Sequence, residues 1–247
     1  MQKTYVGTIA HLYVYPVKSM QGIAAEEAEL FWYGFRGDRK CAFVRSENGS
    51  NFPWLTGRQT ANLVRYQPYF VEPADPFASA IRVKTPDEND YALEDQALQT
   101  ELSHNYKHPV HLMKLNRGTF DCMPISIMSL NTIQNLNGLV DASLESRRFR
   151  PNIVIDTASS VAQYPEDDWL GQGMIFGDEP KTPHLQINYR IKRCAMINID
   201  PDSAEVSPPV LRAVAQTRES CAGVYAAVSR LDSIRVGDPV YVIEEGK

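Results

Sequence analysis

Apolar and polar residues alternate along most of this chain, in short runs that end at Gly, Pro, Asn or Asp. Alternation with a period of two is typical of a β-strand with one buried face. Helical spacing of apolar residues, by contrast, predicts helices only over residues 94–105, 131–139 and 208–217. Many short strands with few helices predict a β-barrel or a sandwich with added helices. The predicted strands cover residues 5–15, 26–33, 41–44, 65–71, 81–84, 110–115, 126–130 and 152–156, with a strand pair around the turn in residues 236–243.

The strand-like run over residues 185–199 breaks its own alternation near its end. Up to residue 191 its apolar positions are Leu185, Ile187, Tyr189 and Ile191. If that register continued, Arg193 would point into the core, and Cys194 would share a face with Arg190 and Lys192. A buried cation needs a partner, and a thiol beside fixed cations is a candidate for a lowered pKa. The pair Arg193-Cys194 therefore breaks a rule of folding and offers chemistry at the same position.

The length and charge of the chain limit the possible functions only broadly. The 247 residues suffice for one large β-rich domain or two smaller ones, with a soft boundary near residues 85–120. A net charge of −5 argues against a general nucleic-acid-binding protein. Two basic clusters, over residues 147–150 and 190–193, nevertheless suit a small anion, because local fields matter more than net charge. The alternative is that both clusters are solvated strand faces.

Localisation signals and common catalytic motifs are not evident. The N-terminus has no signal-peptide pattern, and no apolar run approaches the roughly 20 residues of a membrane span. The four cysteines are widely spaced, without a Cys-x-x-Cys pair. We therefore expect a cytoplasmic protein with reduced thiols and no membrane partner. A P-loop, a dinucleotide-binding glycine motif and a hydrolase nucleophile elbow are also missing from the sequence.

Four segments place small polar and cationic residues beside predicted strand ends. They are Tyr-Pro-Val-Lys-Ser at 15–19, Gly-Asp-Arg at 37–39, Arg-Phe-Arg-Pro-Asn at 148–152 and Lys-Arg-Cys at 192–194. Lys, Arg, Ser and Asn are donors that hold a phosphate or a polar heterocycle. Cys is a soft ligand that suits a thiolate-bound metal. Together the segments fit an anionic, sulfur-bearing metal cofactor.

In this order, followed by Asp-Pro-Asp at 200–202 and Val-Gly-Asp-Pro-Val at 236–240, the segments resemble the MOSC family (the molybdenum cofactor sulfurase C-terminal domain). The chain is similar to the branch with an additional N-terminal β-barrel region, which includes the mitochondrial amidoxime-reducing component and bacterial relatives. The resemblance implies a mainly β fold with a few helices, a MOSC-type β-barrel plus an N-terminal β-rich region. It places the N-terminal region at residues 1–117 and the MOSC domain at residues 118–247.

The same resemblance implies that molybdenum bound to a pterin, the molybdenum cofactor, occupies a site in this chain. Cys194 would be both the metal ligand and the catalytic residue. The implied cofactor-binding residues are Lys18, Ser19, Arg39, Asp121, Cys122, Arg150, Asn152, Lys192, Arg193 and Tyr225.

The implied activity is the reduction of small N-hydroxylated compounds. Several bacterial relatives carry an iron–sulfur domain, but this sequence has no Cys-x4-Cys-x2-Cys run. We therefore expect electrons from a separate protein, a ferredoxin- or flavin-type reductase. Two alternatives stay open, namely sulfur transfer through a Cys194 persulfide and a non-catalytic carrier of the cofactor.

Overall fold

Strands dominate the computed structural model, as the alternation predicts, and the mainly β fold class is confirmed. It describes residues 3–115, 117–140, 143–157, 162–178 and 182–244. The strands are β1 (Lys3–Val14), β2 (Ile23–Ala25), β3 (Glu27–Phe31), β4 (Gly34–Phe35), β5 (Cys41–Arg45), β6 (Gln67–Phe70), β7 (Ile81–Lys84), β8 (Asp90–Ala92), β9 (Val110–Lys114), β10 (Ile125–Ser129), β11 (Ile153–Thr157), β12 (Gly173–Phe176), β13 (His184–Lys192), β14 (Cys221–Arg230), β15 (Asp232–Arg235) and β16 (Pro239–Ile243).

Helices are few and short. The α-helices are α1 (Gln96–Tyr106), α2 (Leu130–Val140) and α3 (Pro209–Arg218), and 3₁₀ helices cover Ala61–Arg65, Ser146–Phe149, Pro165–Trp169 and Ala195–Asn198. Helix α1 begins after Asp95, whose side chain accepts a hydrogen bond from the Ala97 backbone N–H at 2.8 Å. Each predicted helix matches an observed one to within two residues at either end. Within the described residues, no helix has the length and apolar character to span a membrane.

Seven strands close into a barrel. Their order around the wall is β11, β10, β14, β13, β12, β16 and β1, and β1 pairs again with β11 to complete the ring. All neighbours are antiparallel except β10 and β11, which are parallel and are joined through α2. Closure removes the exposed sheet edges that an open sandwich would leave. The barrel prediction is thus confirmed over the sandwich.

The remaining strands form small sheets beside the barrel. Strand β5 pairs with β9, strands β6 to β8 form a three-stranded sheet, and β3 pairs with both β15 and β4. The first strand of the chain is a barrel strand, whereas β15, late in the sequence, joins the small sheet of β3. The domain boundary predicted at residue 117 stays a prediction. Strands from both sides of residue 117 pair with each other in the barrel and in the sheet of β3.

A second apolar cluster lies outside the barrel and supports the cavity described below. It joins residues of β1, α2 and α3 with Phe149 and Ile197 of two 3₁₀ helices. Tyr15 and Phe149 are each 1% exposed in this cluster. The apolar faces of α2 and α3 therefore hold both 3₁₀ helices against the barrel wall.

The prediction that the run over residues 185–199 is one strand is wrong beyond Lys192. Strand β13 ends there, and residues Ala195–Asn198 form a 3₁₀ helix. The pairing of β13 with β14 also shifts between Ile187 and Tyr189 and between Arg190 and Lys192. Each shift adds an unpaired residue and changes which face the following side chains occupy. Tyr189 is consequently 44% exposed instead of lying in the core.

Candidate functional site

A cavity of about 560 Å³ brings together residues from both halves of the sequence. All of the predicted site residues except Cys122 and Asn152 line it, namely Lys18, Ser19, Arg39, Asp121, Arg150, Lys192, Arg193, Cys194 and Tyr225. These residues come from loops and strand ends that are separated by up to about two hundred positions in the chain. Strand pairing in the barrel and the small sheets is what places them around one space.

Asn152 lies behind the cavity wall. It is fully buried, and its Oδ1 accepts hydrogen bonds from Arg39 Nη1 and from Ser126 Oγ, both at 2.9 Å. Its Nδ2 donates to the Tyr13 carbonyl at 3.2 Å. Asn152 therefore holds Arg39 in place and does not face the cavity. Cys122 is exposed next to Tyr189, also outside the cavity lining.

Cys194 is presented to the cavity by the end of β13. Cys194 occupies the N-cap position of the 3₁₀ helix Ala195–Asn198, and the residue is exposed. No group of three or more His, Cys, Asp or Glu side chains capable of holding a metal occurs among the described residues. A metal at Cys194 would therefore take most of its ligands from a cofactor and one soft thiolate from the protein.

Arg193 follows the end of β13 and is a half-buried residue that lines the cavity, so its position does not result from a continued strand alternation. Its Nε donates to the Ala222 carbonyl at 2.7 Å and its Nη1 to the Phe149 carbonyl at 2.8 Å. Burial lowers the pKa of Arg193, and Tyr225 is the first of the groups that oppose this shift. Since carbonyl dipoles compensate a buried cation only in part, the site favours an additional anionic partner.

Three buried guanidinium nitrogens around the cavity lack a partner among the described residues. They are Nη2 of Arg150, Nη2 of Arg193 and Nε of Arg148. Burial lowers the pKa of Arg150 to about 10. A buried donor without an acceptor typically reduces stability by about 1–3 kcal/mol. A bound anion such as a phosphate would supply the missing acceptors.

Arg39 is fixed by a buried network. Its Nη1 also donates to Asp38 Oδ2 at 2.6 Å, and its Nη2 donates to the Arg150 carbonyl at 3.1 Å. Burial raises the pKa of Asp38, although the charge of Arg39 acts against that shift. Ser19, Arg39 and Arg150 have φ values of 64°, 46° and 55°, in the left-handed region. Such backbone conformations are unfavourable for residues other than glycine and tend to concentrate at functional sites.

Lys18 also lines the cavity and is 7% exposed. Its Nζ donates to Asp121 Oδ1 at 2.6 Å and to the Thr119 carbonyl. Burial lowers the pKa of Lys18, and Asp121 opposes this effect. Among the described residues that line the cavity, Asp121 is the one carboxylate. The cations are Lys18, Arg39, Arg45, Arg58, Arg148, Arg150, Lys192 and Arg193.

A chain of net charge −5 therefore encloses a strongly positive cavity. Such a cavity concentrates an anionic ligand, because its charges act through low-dielectric walls. The excess of positive charge in the cavity is much larger than the two basic clusters of the sequence indicate. Four of its cations, Lys18, Arg39, Arg45 and Arg58, come from other segments.

Sequence reasoning missed the wall that follows β5. Phe52 and Arg58 line the cavity there, and the Arg58 guanidinium lies 4.8 Å from the centre of the Phe52 ring. Arg45 supports this loop, because its Nη2 donates to the Phe52 carbonyl at 2.7 Å. The segment carries only a hairpin signal at Asn48-Gly49 in the sequence. Arg148 was recognisable as part of a basic cluster, but nothing local distinguished it from Arg147, which pairs with Glu145 and Asp202 outside the cavity lining.

Comparison with known proteins gives consistent matches over nearly the whole chain. Residues 6–123 match the MOSC N-terminal beta barrel domain, and residues 108–241 match the MOSC domain. Mitochondrial amidoxime-reducing component 1 from Homo sapiens is 26% identical, with 96% of this chain and 83% of that protein covered. Mitochondrial amidoxime reducing component 2 from Bos taurus is 24% identical over the same shares.

Among solved structures, the YUAD protein from Bacillus subtilis superposes with a TM-score of 0.52 at 12% sequence identity, covering 99% of both chains. This similarity supports the fold alone. The MOSC match, in contrast, extends over more than half of the sequence and includes β13, Arg193 and Cys194. The chain therefore belongs to the MOSC domain family, which is associated with the molybdenum cofactor.

Proposed function

We propose that this protein is a molybdenum-cofactor-dependent oxidoreductase that reduces small N-hydroxylated compounds with electrons from a separate protein. One observation carries the proposal, namely that the Cys194 thiol shares a single cationic cavity with Arg150 and Arg193. The relatives named as amidoxime-reducing components support the reaction class. An electron donor of the ferredoxin- or flavin-type reductase class and a cytoplasmic location belong to the same proposal.

The residues of the cavity fit the cofactor. The unpartnered nitrogens of Arg148, Arg150 and Arg193 would donate hydrogen bonds to the oxygens of its phosphate. The thiolate of Cys194 would contribute the protein ligand to the metal. When bound, the cofactor supplies two-electron oxygen-atom transfer, which no side chain of the protein can perform.

The chain itself provides position and electrostatics. The bonds from Arg39 to Asp38 and Asn152 preorganise a cation before any ligand arrives. Phe52 and Ile191 give the cavity apolar surface, where a small substrate can displace water.

The proposal is tested by expressing the protein in molybdate-replete cells and measuring molybdenum and pterin content together with benzamidoxime reduction by reduced methyl viologen. We expect the wild-type protein to retain the metal and to form benzamidine. Cys194→Ser should lose the metal or the activity, whereas Cys221→Ser, which changes a half-buried thiol outside the cavity lining, should keep both. Full turnover by Cys194→Ser with bound molybdenum would refute the proposal.

The same preparation distinguishes the two alternatives. A sulfur adduct on Cys194 in metal-free protein, detected by mass spectrometry, would replace reduction with sulfur transfer. Stoichiometric molybdenum without reduction of any N-hydroxylated compound, under any donor, would identify a carrier of the cofactor.

A further inference from the structure

Exposed and half-buried aromatic rings and cations contact one another in a continuous group, here called the aromatic–basic patch. Its members are Phe31, Tyr33, Arg36, Lys40, Phe77 and Arg117. Single exposed aromatic residues are common on soluble proteins, but a contiguous group of them marks an interaction site.

Arg36 connects the two ends of the patch. Its guanidinium carbon lies 4.8 Å from the centre of the Phe31 ring and 5.8 Å from that of Phe77. Lys40 Nζ lies 5.2 Å from the Phe77 ring centre and donates to the Phe77 carbonyl at 2.5 Å. Phe77 is 47% exposed, so its ring faces solvent while both cations lie against it.

The turn between β3 and β4 extends this surface. The rings of Phe31 and Tyr33 are 6.4 Å apart, and the Arg117 guanidinium lies 5.6 Å from the Tyr33 ring. Tyr33 is 42% exposed, and Trp32 in the same turn is 54% exposed. Aromatic residues and Arg are enriched at the centres of protein interfaces.

The charge of the patch selects the partner. Among the described residues, Arg36 has an ion pair with Glu29, whereas Lys40 and Arg117 have no carboxylate partner. The six members of the patch thus include three cations and no carboxylate, whereas the chain as a whole has a net charge of −5. Such a surface favours an acidic partner protein by electrostatic complementarity.

The patch is built on the same segments as the cavity wall. Lys40 follows Arg39 directly, and the Arg39 carbonyl accepts a hydrogen bond from the Thr119 backbone N–H at 2.7 Å. The turn after β3 packs closely on Pro124, since a Cβ on Gly34 would lie 3.0 Å from the Pro124 carbonyl oxygen. Met123, the preceding residue, lines the cavity. A protein docked on the patch would thus lie next to the cavity.

We propose that the aromatic–basic patch is the docking surface for an acidic one-electron carrier protein that supplies electrons to the cavity. This inference rests on the proposed function. Conversion of an N–OH group to N–H with release of water consumes two electrons and two protons. A one-electron carrier is oxidised in each encounter, so two dockings complete one turnover.

The test compares two double variants that change the net charge equally. Lys40→Glu with Arg117→Glu reverses the patch, while Lys84→Glu with Arg212→Glu reverses two exposed cations on β7 and α3. Each is assayed with a reduced, acidic plant-type [2Fe–2S] ferredoxin as the probe and, separately, with reduced methyl viologen. Phe77→Ala serves as an uncharged third variant.

We expect the KM for ferredoxin to rise at least about tenfold in the patch variant and in wild type at high salt, and to change less than about twofold in the control. Viologen-driven turnover should stay at the wild-type level in all variants. Equal ferredoxin kinetics in both double variants would overturn the inference. A direct binding titration of ferredoxin tests the docking surface even if viologen-driven turnover, and with it the proposed function, fails. Wild-type protein that does not bind ferredoxin, or a patch variant that binds it equally well, would contradict docking at this patch.

Discussion

The Nη2 atom of Arg193 lies 3.1 Å from the position that a Cβ atom would occupy on Gly223. Gly223 has φ +76°, and the same Cβ would lie 2.7 Å from the Ile127 carbonyl oxygen. Only a residue without a side chain adopts this conformation without strain and leaves room for the guanidinium. The orientation of Arg193 toward the cavity therefore depends on a glycine in the neighbouring strand β14.

Gly223→Ala should destabilise the protein by about 2 kcal/mol, because it combines a left-handed backbone with a clash against a backbone oxygen. Molybdenum retention should fall as well, since Arg193 must move. Gly138→Ala is the matched control, as a Cβ there meets nothing within 4 Å. In helix α2 this change should stabilise the protein by about 0.5–1 kcal/mol. Urea unfolding measures both variants, and equal stabilities would contradict the role of Gly223.

Asn152→Ala should reduce the free energy of unfolding by about 3 kcal/mol, because three buried donors lose the acceptor Asn152 Oδ1 at once, although Arg39 Nη1 keeps Asp38 and the Ser126 hydroxyl keeps the Arg150 carbonyl. Those donors are Arg39 Nη1 and the backbone N–H and hydroxyl of Ser126. Asn188→Ala, at an exposed position of β13, is the control and should change stability by less than about 0.5 kcal/mol. A stable Asn152→Ala protein would show that Arg39 is held by Asp38 alone.

Glu166 predicts a pH dependence of stability. It is fully buried, and its Oε2 accepts hydrogen bonds from the hydroxyls of Ser129 and Thr132, both at 2.7 Å. Burial raises the pKa of Glu166 above its ordinary 4.5. Between 4.5 and the raised pKa, the folded protein binds more protons than the unfolded chain, so stability falls as the pH rises through that window.

Glu166→Gln cannot ionise and should lack this component. The difference in unfolding free energy, wild type minus variant, should decrease as the pH rises from about 4 toward 8. Chemical denaturation at a series of pH values provides the measurement. Parallel curves for the two proteins would mean that Glu166 titrates normally.

Cysteine labelling reports on the occupancy of the site. Cys122 and Cys194 are exposed, whereas Cys41 is buried and burial raises its pKa to about 11. We expect iodoacetamide to modify Cys194 in cofactor-free protein and to leave it unmodified after loading with cofactor. Cys122, outside the cavity lining, should react in both forms, and Cys41 in neither. Peptide mass spectrometry assigns each site, and equal labelling of Cys194 in both forms would exclude it as the metal ligand.

Local signals predicted most elements because strand alternation and helix capping act over a few residues. The helix predicted over residues 94–105 from its apolar spacing corresponds to α1, which begins after Asp95. The run over residues 185–199 failed because its register shifts depend on the partner strand β14 and have no local pattern. Phe52 and Arg58 were missed for a similar reason, since a loop next to a hairpin turn carries no sign of what it will face.

The sequence by itself determined the strand-rich class, the three helices and the set of donors and one thiol that suits an anionic metal cofactor. The tertiary structure alone decided that β1 closes the barrel on β11, that Asn152 lies behind the wall and that, among the described residues, three guanidinium nitrogens around the cavity lack a partner. These are contacts between residues far apart in the chain. Their geometry follows from strand pairing and packing, which no local pattern of residues encodes.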